Sequence, residues 1–255
     1  TGPVPVRVEV TRQEDFVVQA RAVGTVTPMN SVTARSRVSG QLVKLLVREG
    51  EQVRRGQALA EIDQAPYRVK LAQAQGQQQQ NLAQLKNAES ELARYRQLFQ
   101  QDALARQQLD RQEALVQQLR GTLQADQAQV DEARLQLSYT RIESPIDGRV
   151  GMRRVDAGNL VSDGDANGLF TIVQTHPVNV TFNIPEPQVA AVRAAFAGAG
   201  RPAVQAWDRD DAQRLASGRL DTLDNQIDIA TGTLRVKAGF DNADDALFPN
   251  QFVNV

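Results

Sequence analysis

The feature that most restricts this chain is a repeat cut in two. Gly40, Leu42, Val47, Gly50, Val53 and Gly56 recur as Gly148, Val150, Val155, Gly158, Val161 and Gly164, at a constant offset of 108 residues, so the spacing inside each copy is preserved. Each copy alternates apolar and polar residues as short strands do. Its glycines stand where turns need positive φ or where backbones approach closely. One copy cannot bury its apolar face alone, so the pattern predicts that the two copies pack on each other as halves of one small β-sandwich. The chain between them must leave and return to one place.

That intervening chain, from about 67 to 138, is rich in Gln, Ala, Leu and Arg and contains no proline, a composition of strong helix formers. In its second part Leu109, Val116, Leu123, Val130 and Leu137 recur every seven residues, with Leu119 and Ala133 at the complementary seam positions; this is a coiled-coil heptad. In the first part Leu71, Leu85, Leu92 and Phe99 keep the same frame, interrupted by Gln78 and joined by Leu82, and Gly76 weakens the seam. The Gln-rich run 77–80 keeps helical phase with the leucines on either side. Two helices, each roughly 50 Å long, joined near Gln101 to Leu104, predict an antiparallel hairpin that stands out as a stalk.

Strand-like runs at 169–173, 178–182, 203–207, 218–223 and 233–240 follow, with turn signals between them. Pro185, Glu186 and Pro187 open a short helix to about Phe196, with Val189, Val192 and Phe196 on one face. A strand over 16–27 completes a small barrel. The fold class expected is therefore mixed β and α, an elongated multidomain chain. Its parts are a split lipoyl-like β-sandwich (30–64 plus 141–164), a coiled-coil hairpin (65–140), a β-barrel (11–29 plus 165–255) and a membrane-proximal strand at 1–10. The apolar strand 252–255 at the chain's end implies a further domain. No apolar run is long enough to cross a bilayer, so the segment is expected to be soluble or a mature or trimmed form of something anchored upstream.

The inventory is poor in chemistry. Net charge is -1 with dispersed cations, which argues against nucleic acid. The absence of cysteine removes thiolate metal sites and Cys nucleophiles. His176, the only histidine, precedes Pro177 and reads as structural. Asp208, Asp210 and Asp211 with Arg209 read as a solvated turn, without the terminal Glu that a calcium loop needs. Trp207, the sole tryptophan, is expected in the barrel core. No phosphate-cradling loop, dinucleotide fingerprint or nucleophile elbow is present, so the reading is non-enzymatic, with no cofactor and no metal.

Half-motif, helical hairpin, half-motif and barrel in series resemble the membrane fusion, or periplasmic adaptor, proteins, and within them the adaptors of resistance-nodulation-division pumps. The segments 175–177, 206–209, 223–228 and 248–252 are similar to those of multidrug adaptors that serve a heteromeric pump. The split repeat also resembles the lipoyl or biotinyl carrier fold, whose carrier lysine would sit where this chain launches its hairpin after Asp63. Without that lysine, no cofactor attachment is expected. The resemblance implies sandwiches packed side by side in a trimeric or hexameric ring, with partners in an inner-membrane transporter and a TolC-like outer-membrane channel. It also implies residence in the periplasm of a Gram-negative bacterium, attached to the inner membrane.

In the family an Arg, a Leu four residues on and a Ser seven further mark the hairpin tip. Arg94 and Leu98 match; the third position is Ala105, which cannot cap a helix as serine does. Arg94, Leu98, Gln101, Asp102, Ala103, Leu104 and Ala105 are thus the expected channel contacts. Rival readings are an adaptor for an ATP-driven exporter, a biotinyl or lipoyl carrier domain of an enzyme complex, and a purely structural coiled-coil protein. The last leaves the matched half-repeats unexplained.

Overall fold

The computed structural model describes residues 19–198 and 200–255. The strand expected at 1–10, and residues 11–18 of the expected barrel segment, lie outside them. The described chain forms two compact units, Asn30–Gln174 and a second that joins the residues up to Met29 with Thr175–Val255.

After β1 (Val23–Pro28), which belongs to the second unit, the first unit is built from β2 (Ser31–Ala34), β3 (Gly40–Leu45), β4 (Gln52–Val53) and β5 (Ala58–Ile62). Helices α1 (Ala65–Gln100) and α2 (Arg106–Tyr139) follow, then β6 (Arg141–Glu143), β7 (Gly148–Val150), β8 (Leu160–Val161) and β9 (Phe170–Val173). Two four-stranded sheets result, in the orders β2-β9-β7-β4 and β6-β5-β3-β8. Each sheet takes two strands from either side of the helical insert, so neither half-repeat is a folded object without the other. The exchange is symmetric. Val53 faces Gly148 across β4 and β7, and its repeat equivalent Val161 faces Gly40 across β8 and β3. Gly50 N–H donates to Val150 C=O at 2.8 Å while Gly158 N–H donates to Leu42 C=O at 2.7 Å.

The repeat glycines divide by cause. Gly50 and Gly158 have φ of +78° and +97°, a region that side chains with a Cβ rarely adopt, and Gly56 shares it at +80°. At Gly40 and Gly148 the cause is space: a Cβ would lie 2.7 Å from Ile62 Cγ2 and 2.6 Å from the Val173 carbonyl oxygen, respectively. Gly164 meets neither condition, since the nearest atom to its would-be Cβ is Ser162 Oγ at 3.9 Å. Its match to Gly56 is one of sequence rather than of backbone need. Leu42, Leu59, Ile62, Val53, Val150, Val161, Phe170 and Ile172 fill the core between the sheets; each large aliphatic side chain so buried contributes about 1.5–3 kcal/mol.

One strand is placed differently from the sequence expectation. Residues 169–173 were assigned to the barrel, but β9 pairs with β2 from Ser31↔Val173 to Ala34↔Phe170 and with β7. Phe170 and Ile172 complete the sandwich core, so the span 165–174 belongs to the first unit. A five-residue apolar alternation fits either sheet; the vacancy beside β2 decides it.

The second unit continues with β10 (Val178–Pro185), α3 (Glu186–Ala197), β11 (Ala203–Trp207), β12 (Arg214–Asp228), β13 (Thr233–Phe240) and β14 (Phe252–Asn254). These strands and β1 close into a barrel in the order β1-β10-β13-β12-β11-β14, which leaves no free sheet edge. The strand expected from 16 starts in the described chain at Val23, and β12 runs well beyond the expected 218–223. Val189, Val192 and Phe196 of α3 pack against Ile184, Leu220, Leu234 and Val236, the face expected from their spacing. Trp207 is only half-buried. Alternation along β11 turns Ala206 into the core instead, which corrects the expectation of a core tryptophan.

Candidate docking site at the hairpin apex

The apex is held at the end of a long lever. Helices α1 and α2 have 36 and 34 residues, about 54 and 51 Å at 1.5 Å per residue. Pro66 stands in the first turn of α1, where its missing N–H costs nothing. The lever is rooted in the sandwich: Ile62 N–H donates to Thr140 C=O at 2.8 Å, Asp63 N–H to Gln41 C=O at 2.8 Å, and the Tyr67 hydroxyl to Ser39 C=O at 2.6 Å. Asp63 also accepts from Ala65 N–H at 3.0 Å, so the place where the carrier fold would hold its lysine is here the joint from which the hairpin departs.

Along the lever the helices meet on a narrow seam. Asn81, Leu85, Ala88 and Leu92 are the buried residues of α1, and Gln112, Val116, Asp126 and Val130 those of α2. Leu82, expected on the stripe, is half-buried; Asn81 holds the seam position instead. Three buried polar residues were therefore missed by reading apolar residues alone. The heptad spacing does contain the two in α2, because Gln112, Leu119, Asp126 and Ala133 form one seven-residue column. Asn81 Nδ2 donates to Asp126 Oδ2 at 2.6 Å, and Gln112 Nε2 donates to Ala88 C=O at 3.0 Å. Exposed pairs Arg120–Glu89 at 2.7 Å and Arg96–Glu113 at 2.8 Å flank the seam; each is worth about 0–1 kcal/mol.

At the end of α1 the chain reverses in five residues. Leu98 C=O accepts from Gln101 N–H at 3.1 Å and from Ala103 N–H at 3.0 Å. Asp102 sits at φ 53°, a conformation that Asp and Asn tolerate better than other side chains. Ala105 is the extended residue before α2, with no side-chain cap, as its identity dictates. Leu98 and Leu104 are half-buried, whereas Gln101, Asp102, Ala103 and Ala105 are exposed. Arg94 lies on the outer face with its side chain 66% exposed, ion-paired to Glu91 at 3.2 Å. Residues 101–105 thus form the reversal itself, mostly exposed, with Leu98 in the last turn of α1 and Arg94 one turn before it. Such an exposed helical end suits packing against a partner.

The other candidates are local. His176 Nε2 lies 3.0 Å from Asp245 Oδ1, and its Nδ1 is 3.1 Å from Thr175 Oγ1. Asp208 Oδ1 accepts from Ala212 N–H at 2.7 Å and from Gln213 N–H at 3.1 Å, which makes it the closing residue of a turn. Among the described residues no group of three or more His, Cys, Asp or Glu could hold a metal ion. No described helix is long and apolar enough to cross a membrane.

Comparison with known proteins bears on this architecture directly. The chain is 49% identical over 251 residues to multidrug resistance protein MdtA of Pectobacterium carotovorum, with 98% of this chain and 61% of that protein covered. It is 50% identical over 255 residues to MdtA of Cronobacter turicensis, with 100% and 61% covered. The chain thus spans 61% of the length of these relatives. Among solved structures, a MacA-MexA chimera carrying the Pseudomonas aeruginosa MexA α-hairpin matches with TM-score 0.63 at 25% identity, over 92% of this chain and 78% of that one. The membrane fusion protein Spr0693 of Streptococcus pneumoniae matches with TM-score 0.68 at 17% identity, over 91% and 97%, a likeness of fold. The family model for the "RND MFP, barrel-sandwich hybrid domain" matches residues 30–173 and that for the "RND MFPs, beta-barrel domain" residues 177–255. With the split sandwich, its helical insert and the closed barrel each accounted for, this chain belongs to the membrane fusion proteins of resistance-nodulation-division systems.

Proposed function

We propose that this chain is the adaptor of a tripartite multidrug efflux pump in a Gram-negative periplasm. Attached to the inner membrane, it joins a proton-driven transporter there, heteromeric in the subgroup it resembles, to a TolC-like outer-membrane channel, and it passes on the transporter's conformational cycle. The observation that carries this reading is the apex: a mostly exposed reversal with Leu98 and Leu104 half-buried beside it, set at the end of helices of 36 and 34 residues that are rooted in a self-completing sandwich. The relatives' designation as multidrug resistance proteins agrees with it. Copies assemble side by side through their sandwiches into a trimeric or hexameric ring, for which Met152 and Leu160, 83% and 82% exposed, supply apolar contact area.

Contact with the channel falls to Arg94, Leu98 and the apex residues Gln101, Asp102, Ala103, Leu104 and Ala105. Replacing Arg94 or Leu98 by Asp should abolish drug resistance in cells that depend on this adaptor, while circular dichroism and the level of protein stay unchanged. Undiminished resistance in both variants would remove the apex from the docking surface.

A further inference from the structure

We infer that the hairpin contains a compliant joint midway along its length, formed by the layer of the buried Asn81–Asp126 pair and the Gln78–Gln127 pair, with solvent-facing Gly76 on its root side in α1 and solvent-facing Gly121 on its apex side in α2. Four observations converge on it. The apolar seam is interrupted there: the cluster of Leu85, Ala88, Leu92 and Val116 with Leu109, Leu119 and Leu123 lies on the apex side, and Val130 is the buried residue on the root side. In the gap the helices are held by side-chain hydrogen bonds, Asn81 to Asp126 at 2.6 Å and Gln78 Nε2 to Gln127 Oε1 at 2.6 Å. Asp126 is the one buried carboxylate among the described residues, and a buried polar group adds little net stability even when it is hydrogen-bonded.

Both helices also carry a glycine beside this layer without a packing reason. A Cβ at Gly76 or at Gly121 would meet nothing within 4 Å, and alanine in its place would favour the helix. An open groove lined by Gln78, Leu82, Arg120, Leu123, Gln124 and Gln127 borders the layer, so apolar packing does not close over the polar pairs. The hairpin is therefore weakest in its middle. Its distal block stays packed as a unit and can change direction relative to the root, whatever the apex meets.

Amide hydrogen exchange on the intact chain tests this, because a joint and fraying from the apex predict different profiles. Exchange should be at least about tenfold faster at residues 77–83 and 123–128 than at 86–92 and 113–119, which lie farther from the root. The double variant Gly76→Ala/Gly121→Ala should slow exchange at 77–83 and 123–128 by about fivefold or more, leaving 86–92 unchanged. Protection that falls steadily from root to apex, or a joint whose exchange the glycine replacements leave untouched, would overturn the inference.

Discussion

The sandwich and the hairpin are both made by bringing two distant stretches of chain together, yet they do it with opposite materials. In the sandwich the contact is backbone to backbone, repeated symmetrically at Gly50–Val150 and Gly158–Leu42, around a core in which Leu42, Leu59 and Ile172 are fully buried. In the hairpin each helix satisfies its own backbone. The contact is then a single file of side chains, in which Asn81, Gln112 and Asp126 take positions that leucines could fill. The difference teaches where stability resides: the sandwich holds the hairpin's root, and the hairpin contributes reach more than energy.

The largest expected effect follows from removing equal side chains from the two contacts. Leu42→Ala should cost about 4 kcal/mol, because a closed core cannot collapse around the cavity. Leu85→Ala, on a seam one side chain wide and 6% exposed, should cost about 2 kcal/mol, because water and neighbours relax into the space. Denaturant melts of both variants measure the gap; equal losses would mean that the seam is a core like the other.

A smaller effect tests what the polar residues contribute. Asn81→Leu leaves Asp126 buried without its partner and should lose about 3 kcal/mol. Asn81→Leu/Asp126→Leu should regain that loss and equal or exceed the natural chain, since replacing both partners of a buried hydrogen bond by apolar groups is nearly neutral or stabilising. A double variant as unstable as the single one would show that the pair is a net stabiliser. A double-mutant cycle in the same melts isolates the coupling.

How much of this was legible beforehand varies with the kind of interaction. The split sandwich could be read because its symmetry is enforced by backbone geometry: Gly50 and Gly158 need positive φ, and Gly40 and Gly148 need room. Such demands leave the same residue at the same spacing. The hairpin was legible from its heptads, but the Asn81–Asp126 pair was not, because a search for apolar periodicity discards polar residues in the seam. Strand β9 was misplaced because the matched spacing stops at Gly164. Under the repeat offset, Phe170 corresponds to Ile62 at the end of β5, just before the first copy turns into α1. The apex residues were named from a family likeness. Their position near the hairpin's end follows from its length and the five-residue reversal, while the uncapped start of α2 follows from Ala105 alone.

That uncapped start sets the smallest and most local of these effects. The first amides of α2 have no carbonyl four residues back within the helix; Gln108 N–H donates instead to the Ala105 carbonyl at 3.0 Å, and Ala105 provides no side-chain acceptor. Its extended backbone, φ -72° and ψ 138°, already has the geometry from which a serine hydroxyl reaches the second helical N–H, that of Gln107. Ala105→Ser should therefore stabilise the turn at Arg106 by about 1 kcal/mol, with no change in the sandwich. Global melting will scarcely register it, because the sandwich dominates the transition. Amide exchange at 107 should slow by about fivefold, and unchanged exchange there would mean that the apex already satisfies that amide through its own turn. A slowing that extended down both helices to the Asn81–Asp126 layer would instead show that apex and root behave as one cooperative rod, against the weaker, segmented contact that separates hairpin from sandwich.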